Sequence, residues 1–306
     1  MKVCVTVGLM LGIAFSLTSI FRTGPSAFHI GRFSPYGANA NQVGVLFAAA
    51  VPFSLYCAVR ARRQLTRWGS VAMAAIALGM VVMTASRSSV VVTSICLVPY
   101  FFSGMLRSAA IVAAVLVGAV AIIPFAYTPD IKPSNEESER YGMGRLDSLE
   151  TGRIEIFGRY LDEAVSKRPF TGLLGEEEQS ILRDEDIGAY AHNVYLEMMY
   201  VGGMIYTLPM LFLAFTTIAA AVRVLRERKR LPIDPLLLAI LAFFAFAIYI
   251  HGMVGSNAYY PTSAWGFIHV LISCFLLSAA AALTRDRRER LRRATHPIPI
   301  AVPATS

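Results

Sequence analysis

The chain is divided into apolar stretches of about 20 residues, and this spacing restricts its fold more than any other feature. A helix needs about 20 apolar residues to cross the hydrocarbon core of a bilayer. The stretches cover residues 3–21, 43–59, 69–86, 88–106, 108–127, 193–222, 235–251 and 262–283. We therefore predict an all-α polytopic membrane protein with about eight transmembrane helices.

The composition excludes both a disordered chain and an ordinary soluble domain. Apolar residues make up 56% of the chain and charged residues only 16%, and the mean hydropathy is +0.55. The net charge of +8 comes largely from arginines in short runs between apolar stretches. This placement is typical of membrane-topology signals. We therefore expect membrane lipids as partners, and no nucleic acid.

The apolar run from Val71 to Phe102 is interrupted only by the polar sequence SRSS at 86–89. A single helix over this run would be about 50 Å long, whereas the hydrocarbon core is about 30 Å thick. Two helices that meet at a tight turn beside Arg87 are therefore predicted. This division also places 17 of the 28 basic residues in short cytoplasmic loops or tails, as the positive-inside tendency requires.

One long polar segment separates the fifth predicted span from the sixth. Residues 128–190 contain 15 acidic and 8 basic residues, and their length favours a functional external (periplasmic) loop over a simple connection. Apolar residues within it lie three or four positions apart, which predicts an amphipathic helix on the membrane face that ends at Pro169. These residues are Ile154, Phe157, Leu161 and Val165.

The external face would collect arginines that topology normally excludes from it, so we expect several of them to bind an anionic group. A planar guanidinium holds two phosphate oxygens at once and keeps its charge, so arginines could stabilise a departing diphosphate without a metal ion or cofactor. Neutralisation by acidic residues of the loop is the alternative for loop arginines, and snorkelling to the interface is the alternative for Arg87. The external candidates include Arg22, Arg32, Asn41, Arg87, Arg140, Arg145, Arg153 and Arg159.

The sequence AHNVYLEMMYVGGM (191–204) places His192 and Asn193 directly before an apolar helix. His192 could accept a proton from a substrate hydroxyl or could cap the helix, and Asn193 is an equally good cap. Glu197 would lie about 6 Å into the span, where a carboxylate needs a partner, so we expect it to pair with an arginine. The glycine pair 202–203 is predicted to serve close helix packing rather than a ligand.

Four of these sequences occur in the order typical of one family: RFSPYGANANQVG, TASRSSVVV, ETGRIEIFGRYLDEAVSKRPFTGLLG and AHNVYLEMMYVGG. The chain thereby resembles the O-antigen ligase and polymerase superfamily over roughly residues 30–215. Members commonly have further N-terminal spans, so this chain is expected to be shortened or complemented by another polypeptide. The division expected is an N-terminal span (1–30), a ligase-like core (31–222) with the external loop (128–190), two C-terminal spans (223–284) and a basic cytoplasmic tail (285–306).

The resemblance implies a membrane glycosyltransferase that takes a glycan from undecaprenyl diphosphate at the external face of the bacterial inner membrane. By motif, Arg87 and Arg153 match the arginines that hold the diphosphate, and Asn41 matches the asparagine turn. His192 matches the histidine that acts as base or orients the acceptor. Arg140 and Arg145 lie in a region that is often rich in arginine. Arg32 and Glu197 are candidate substrate-binding residues beside them. The acceptor is lipid A-core for a ligase and another lipid-linked glycan for a polymerase. A transporter or flippase and a non-catalytic assembly subunit are the alternatives from other classes.

Overall fold

The computed structural model describes residues 18, 22, 28–29, 32–35, 40–101, 158, 161–162, 169–172, 193–253 and 264–295. These residues are mostly helical. Six helices follow a short β-hairpin: α1 (Ala40–Arg60), α2 (Gln64–Met83), α3 (Arg87–Phe101), α4 (Val194–Glu227), α5 (Pro235–Gly252) and α6 (Ala264–Thr295). The hairpin pairs β1 (Phe28–His29) with β2 (Arg32–Phe33) in antiparallel register, and a 3₁₀ turn (Arg228–Arg230) follows α4.

Five segments are long and apolar enough to cross a membrane: Ala40–Arg60, Gln64–Met83, Val194–Arg230, Pro235–Gly252 and Ile268–Arg292. They match five of the predicted spans, and α3 supplies a shorter apolar helix where a sixth was expected. The predicted span at 108–127 lies outside the described residues, as do the span at 3–21 apart from residue 18 and most of the predicted external helix. The prediction that the run from Val71 to Phe102 is divided is confirmed, because α2 ends at Met83 and α3 begins at Arg87.

Two boundaries differ from those expected. The predicted span at 193–222 is not one continuous helix, because its backbone breaks at Gly203. Its second part is longer than predicted and continues to Glu227. The predicted span at 262–283 also continues as helix to Thr295, so part of the basic tail is helical. In this extension Arg290 binds Asp286 one turn earlier at 2.7 Å, and such pairs favour an exposed helix.

Contacts between helix ends give the direction of each helix. Arg60 at the end of α1 binds Asp234 at the start of α5, with 2.7 Å between Nε and Oδ2, so these two helices are antiparallel. The Tyr195 hydroxyl near the start of α4 donates to the Tyr249 carbonyl near the end of α5 at 3.3 Å. Helix α4 therefore begins at the end of the bundle where α1 begins.

Two further contacts complete this arrangement. Arg223 late in α4 donates to Thr284 late in α6 at 2.7 Å, so α4 and α6 run in the same direction. The turn between α2 and α3 lies beside Gly44 in the first turns of α1. One end of the bundle, here called the motif end, thus holds Asn41, Arg87 and Asn193. The opposite end, called the basic end, carries the arginines at 60–67, 223–230 and 285–292.

Asp234 joins α1 to α5 at the basic end. Its carboxylate caps α5 by accepting from the Leu236 N–H at 2.9 Å, and it also accepts from Tyr56 at 3.1 Å and from Arg60. Partial burial of the carboxyl raises its pKa, but the hydrogen bonds from Arg60 and the Leu236 N–H outweigh burial and hold the pKa below its usual range. The ionised form of Asp234 therefore stabilises this contact.

Asp234→Asn is expected to lower the unfolding midpoint in detergent at neutral pH by an amount corresponding to about 1 kcal/mol or less. Asparagine still caps the helix, so the change removes mainly the charge. The pKa of Asp234 is lower in the folded chain than in the unfolded chain. The wild type is therefore more stable than the variant at a pH above the unfolded pKa of about 4, and this difference disappears as the pH falls through the folded pKa. A difference between variant and wild type that persists unchanged at the lowest pH at which both stay folded would contradict this account.

A buried polar contact joins α5 to α6 near the motif end. The Tyr249 hydroxyl and His269 Nε2 are 2.8 Å apart, and the two rings meet edge to face with centroids 5.1 Å apart. His269 is only 2% exposed. Polar contacts of this kind between membrane helices usually contribute about 1 kcal/mol.

Tyr249→Phe is expected to destabilise the protein by about 1 kcal/mol, because it leaves the buried His269 nitrogen without this hydroxyl. Tyr206→Phe is the matched control, since Tyr206 is 54% exposed on α4. Thermal unfolding of both variants in the same detergent measures the difference. Equal midpoints for the two variants would show that the hydrogen bond contributes nothing.

Candidate functional site

The turn between α2 and α3 is built from its own hydroxyl side chains. Ser86 Oγ accepts from Ser89 Oγ at 2.8 Å and from the Ser89 N–H at 3.4 Å, and its carbonyl accepts from the Val90 N–H at 3.1 Å. These bonds satisfy donors at the start of α3. Ala85 has φ 46°, a left-handed conformation that costs a non-glycine residue about 1–2 kcal/mol. The SRSS sequence thus begins a helix and forces an abrupt change of direction.

Arg32 ties the hairpin to this turn. Its Nε donates to the Thr84 carbonyl at 2.9 Å, and its Nη2 donates to Asn41 Oδ1 at 2.7 Å. Phe33, which is fully buried, anchors the hairpin against Phe47 of α1, with ring centroids 6.3 Å apart. Two of the predicted site residues, Arg32 and Asn41, are therefore in direct contact with each other.

Gly44 allows α1 to approach the turn. A Cβ at this position would lie 2.5 Å from both Thr84 Oγ1 and Ser89 Oγ, a separation that real side chains do not tolerate. The hairpin, the start of α1 and the turn consequently form one packed unit. Arg87 follows this unit as the first residue of α3 and is half-buried.

Helix α4 begins at the same end of the bundle with a polar cap. Asn193 Oδ1 accepts from the N–H groups of Tyr195 at 3.0 Å and Leu196 at 3.2 Å. The alternative in which Asn193 caps this helix is thereby confirmed. His192 directly precedes the cap and lies outside the described residues. One turn in, Glu197 is only 6% exposed, and its pairing with an arginine stays a prediction.

Helix α4 breaks one turn beyond Tyr200. Gly203 has φ 60° and ψ −159°, and residues on both sides of the break, Val194 and Ala214, pack in the same small cluster with Tyr249. Gly203 lies against the backbone of Phe170 and Thr171, which belong to a turn formed by residues 169–172. For Gly203 the prediction of helix packing is therefore wrong. A pattern of glycines cannot by itself distinguish a neighbouring helix from a loop.

The structure brings part of the predicted site together. Arg32 and Asn41 bind each other beside the turn that precedes Arg87, and Glu197 lies at the same end of the bundle. His192, Arg140, Arg145 and Arg153 lie outside the described residues, and their roles stay predictions. Sequence reasoning gave no role to Gly44 and Gly172, although both stand inside the quoted motifs. A Cβ on either glycine would lie too close to neighbouring atoms.

A comparison with known protein families matches part of the chain. Residues 72–211 match the family model described as O-antigen ligase, and no curated protein matches the chain. The matched segment begins in α2, contains the turn, Arg87 and Asn193, and ends in α4 beyond Gly203. It supports ligase-like or polymerase-like glycan transfer in general. Residues 72–211 of this multi-pass bacterial membrane protein are therefore similar to the O-antigen ligase family, and this match supports a relation to the O-antigen ligase and polymerase superfamily.

Proposed function

We propose that the chain transfers a glycan from undecaprenyl diphosphate to an acceptor hydroxyl, as an inverting glycosyltransferase that needs no metal ion. The observation that carries the proposal is the arrangement at the motif end. There the Arg32–Asn41 pair, the turn before Arg87 and the polar start of α4 lie at one end of the helix bundle, within or beside the segment that matches the O-antigen ligase family.

The distribution of charge supports a periplasmic position for the motif end. The opposite end carries three clusters of arginines in short connections or at a helix terminus, and such clusters favour the cytoplasmic side. In a bacterial inner membrane the motif end would then face the periplasm. Under this proposal residues 1–30 form the N-terminal span and residues 31–222 the ligase-like core, which includes the external loop 128–190. Residues 223–284 form two C-terminal spans, and residues 285–306 form the basic cytoplasmic tail.

The proposed reaction is a single displacement at the anomeric carbon. His192 takes the proton of the acceptor hydroxyl while the acceptor oxygen forms the new bond to the anomeric carbon. The bond from that carbon to the diphosphate oxygen breaks at the same time, and the diphosphate leaves with the electron pair. Arg87 and Arg153, aided by Arg140 and Arg145, balance the developing negative charge. Attack from the side opposite the leaving group inverts the anomeric configuration.

Two features require controls. The external loop contains an acidic D-x-D sequence, Asp184-Glu185-Asp186, of a kind that could hold a divalent cation. The break in α4 is also a feature that a transporter would have. Metal dependence and translocation of the lipid-linked glycan are therefore measured alongside transfer.

The test uses the purified full-length protein in lipid nanodiscs with labelled undecaprenyl-diphosphate glycan. Lipid A-core and a second lipid-linked glycan are offered in turn, with and without EDTA. We expect product with one acceptor, unchanged by EDTA and with inverted linkage by NMR. Product with lipid A-core identifies a ligase, and lengthening of the lipid-linked glycan identifies a polymerase. Loss of product with EDTA contradicts the metal-free mechanism. Translocation in vesicles without any product contradicts the enzymatic assignment.

A further inference from the structure

The break in α4 leaves backbone donors that the helix itself does not satisfy. With φ 60° and ψ −159°, Gly203 adopts a conformation open essentially only to glycine. Helix residues after such a break lose the carbonyl partners that a continuous helix would offer four positions earlier. The second part of α4 therefore begins like a new helix, inside a chain segment whose sequence is apolar.

A turn from the external loop satisfies these donors. The Met204 N–H donates to the Pro169 carbonyl at 2.9 Å, and the Ile205 N–H donates to the Phe170 carbonyl at 3.2 Å. The 169–172 turn, with the sequence PFTG, thus caps the second part of α4 through its backbone. Unpaired N–H groups at membrane depth are costly, so the turn stabilises the break.

The contact depends on two glycines that face each other. Gly172 has φ 57°, and a Cβ on it would lie 2.6 Å from the Gly203 nitrogen and 2.6 Å from the Tyr200 carbonyl oxygen. A Cβ on Gly203 would lie 2.6 Å from the Thr171 nitrogen and closer still to the Phe170 carbonyl. Because the obstructing atoms are all backbone, neither side can yield by rotating a side chain.

We propose that Gly172 and Gly203 form a latch that positions the start of α4 for glycan transfer. This inference rests on the proposed function. The helical segment Val194–Gly202 is about 14 Å long, with the latch at one end and the Asn193 cap, preceded by His192, at the other. The latch therefore sets the direction in which this segment leaves the break. Both glycines are positioning residues, since neither is proposed to contact the substrate.

The first test asks whether the turn lies against α4 in the membrane-embedded protein. Phe170 and Ile205 are both largely exposed, at 66% and 62%, although their backbones share a hydrogen bond. The double variant Phe170→Cys/Ile205→Cys, with the four native cysteines replaced, should form an intramolecular disulfide on mild oxidation. A control pair, Phe170→Cys/Phe215→Cys, should not. Equal cross-linking of the two pairs, or none in the first, overturns the latch whether or not the protein is a glycosyltransferase.

The second test asks whether the latch positions the reaction. Gly172→Ala and Gly203→Ala should each lower kcat by about 100-fold, as expected for a displacement of the order of 1 Å, while KM for the lipid-linked donor changes little. Gly158→Ala is the matched control in the loop, because a Cβ there meets nothing within 4 Å. Two variants guard against a failure to fold in either one. If the wild type transfers glycan and both variants are as active as Gly158→Ala, the positioning role is wrong. It is also wrong if both variants lose donor binding and kcat together. An inactive wild type would instead contradict the proposed function.

Discussion

His192→Ala is expected to lower glycan transfer by about 10²–10⁴-fold, because it removes the group proposed to take the proton from the acceptor hydroxyl. Membrane insertion and the unfolding midpoint should stay unchanged, since Asn193 caps α4. A protonated imidazole cannot accept a proton, so kcat/KM of the wild type should fall at acidic pH. This fall should be absent from the variant. Transfer by purified wild type and variant, measured across a pH series, tests both effects.

Asn193→Ala provides the control for the helix start. It removes the acceptor of two backbone hydrogen bonds and should destabilise the protein by about 1 kcal/mol. His192→Ala should then cause the larger loss of transfer activity, and Asn193→Ala should cause the larger loss of stability. Arg153→Ala is expected to abolish transfer as His192→Ala does. Wild-type transfer by both His192→Ala and Arg153→Ala would remove the basis of the proposed mechanism.

Arg87→Ala is expected to lower transfer by about 10²–10³-fold, the usual effect of removing one preorganised donor from a developing negative charge. Arg87→Lys should recover only a small part of this loss, because an ammonium cannot hold two phosphate oxygens in a fixed plane. Arg62→Ala is the control, since Arg62 is exposed at the basic end. Kinetics with varied donor concentration show whether donor binding, kcat or both have changed.

The lysine variant also tests the alternative role of Arg87. Lysine reaches the membrane interface by snorkelling as well as arginine does. Full transfer by Arg87→Lys, with loss only in Arg87→Ala, would therefore support a role in membrane placement. In that case other arginines, those of the proposed external loop, would bind the diphosphate.

Local properties of the chain made much of the fold predictable. The lengths of the apolar stretches predicted the five spans that the structure describes, because the bilayer thickness sets how many residues a helix needs. The same argument predicted the division before Arg87. Residue type and position made His192 and Asn193 the two candidate caps of α4, since a cap bonds to N–H groups two or three residues away, and the structure shows that Asn193 is the cap.

The arrangement of the site was less predictable, because its contacts join residues far apart in the chain. Arg32 was predicted as a substrate ligand from its charge and position, but in the structure it donates to Asn41 and to the Thr84 carbonyl 52 residues away. The fit of Gly44 against Ser89 likewise depends on how closely two helices approach. Arg153 and His192 were assigned by resemblance to a family, and they remain predictions.

By itself the sequence determined the membrane class, the position of the turn before Arg87 and the helix start at Asn193, since each depends on hydrophobic length or on neighbouring residues. Only the tertiary structure decided the break at Gly203. The helical pattern of the sequence continues through this residue, and a positive φ becomes favourable there only when the 169–172 turn supplies carbonyls to the freed N–H groups. Gly203, one of the two glycines predicted to serve helix packing, is the residue against which the 169–172 turn packs.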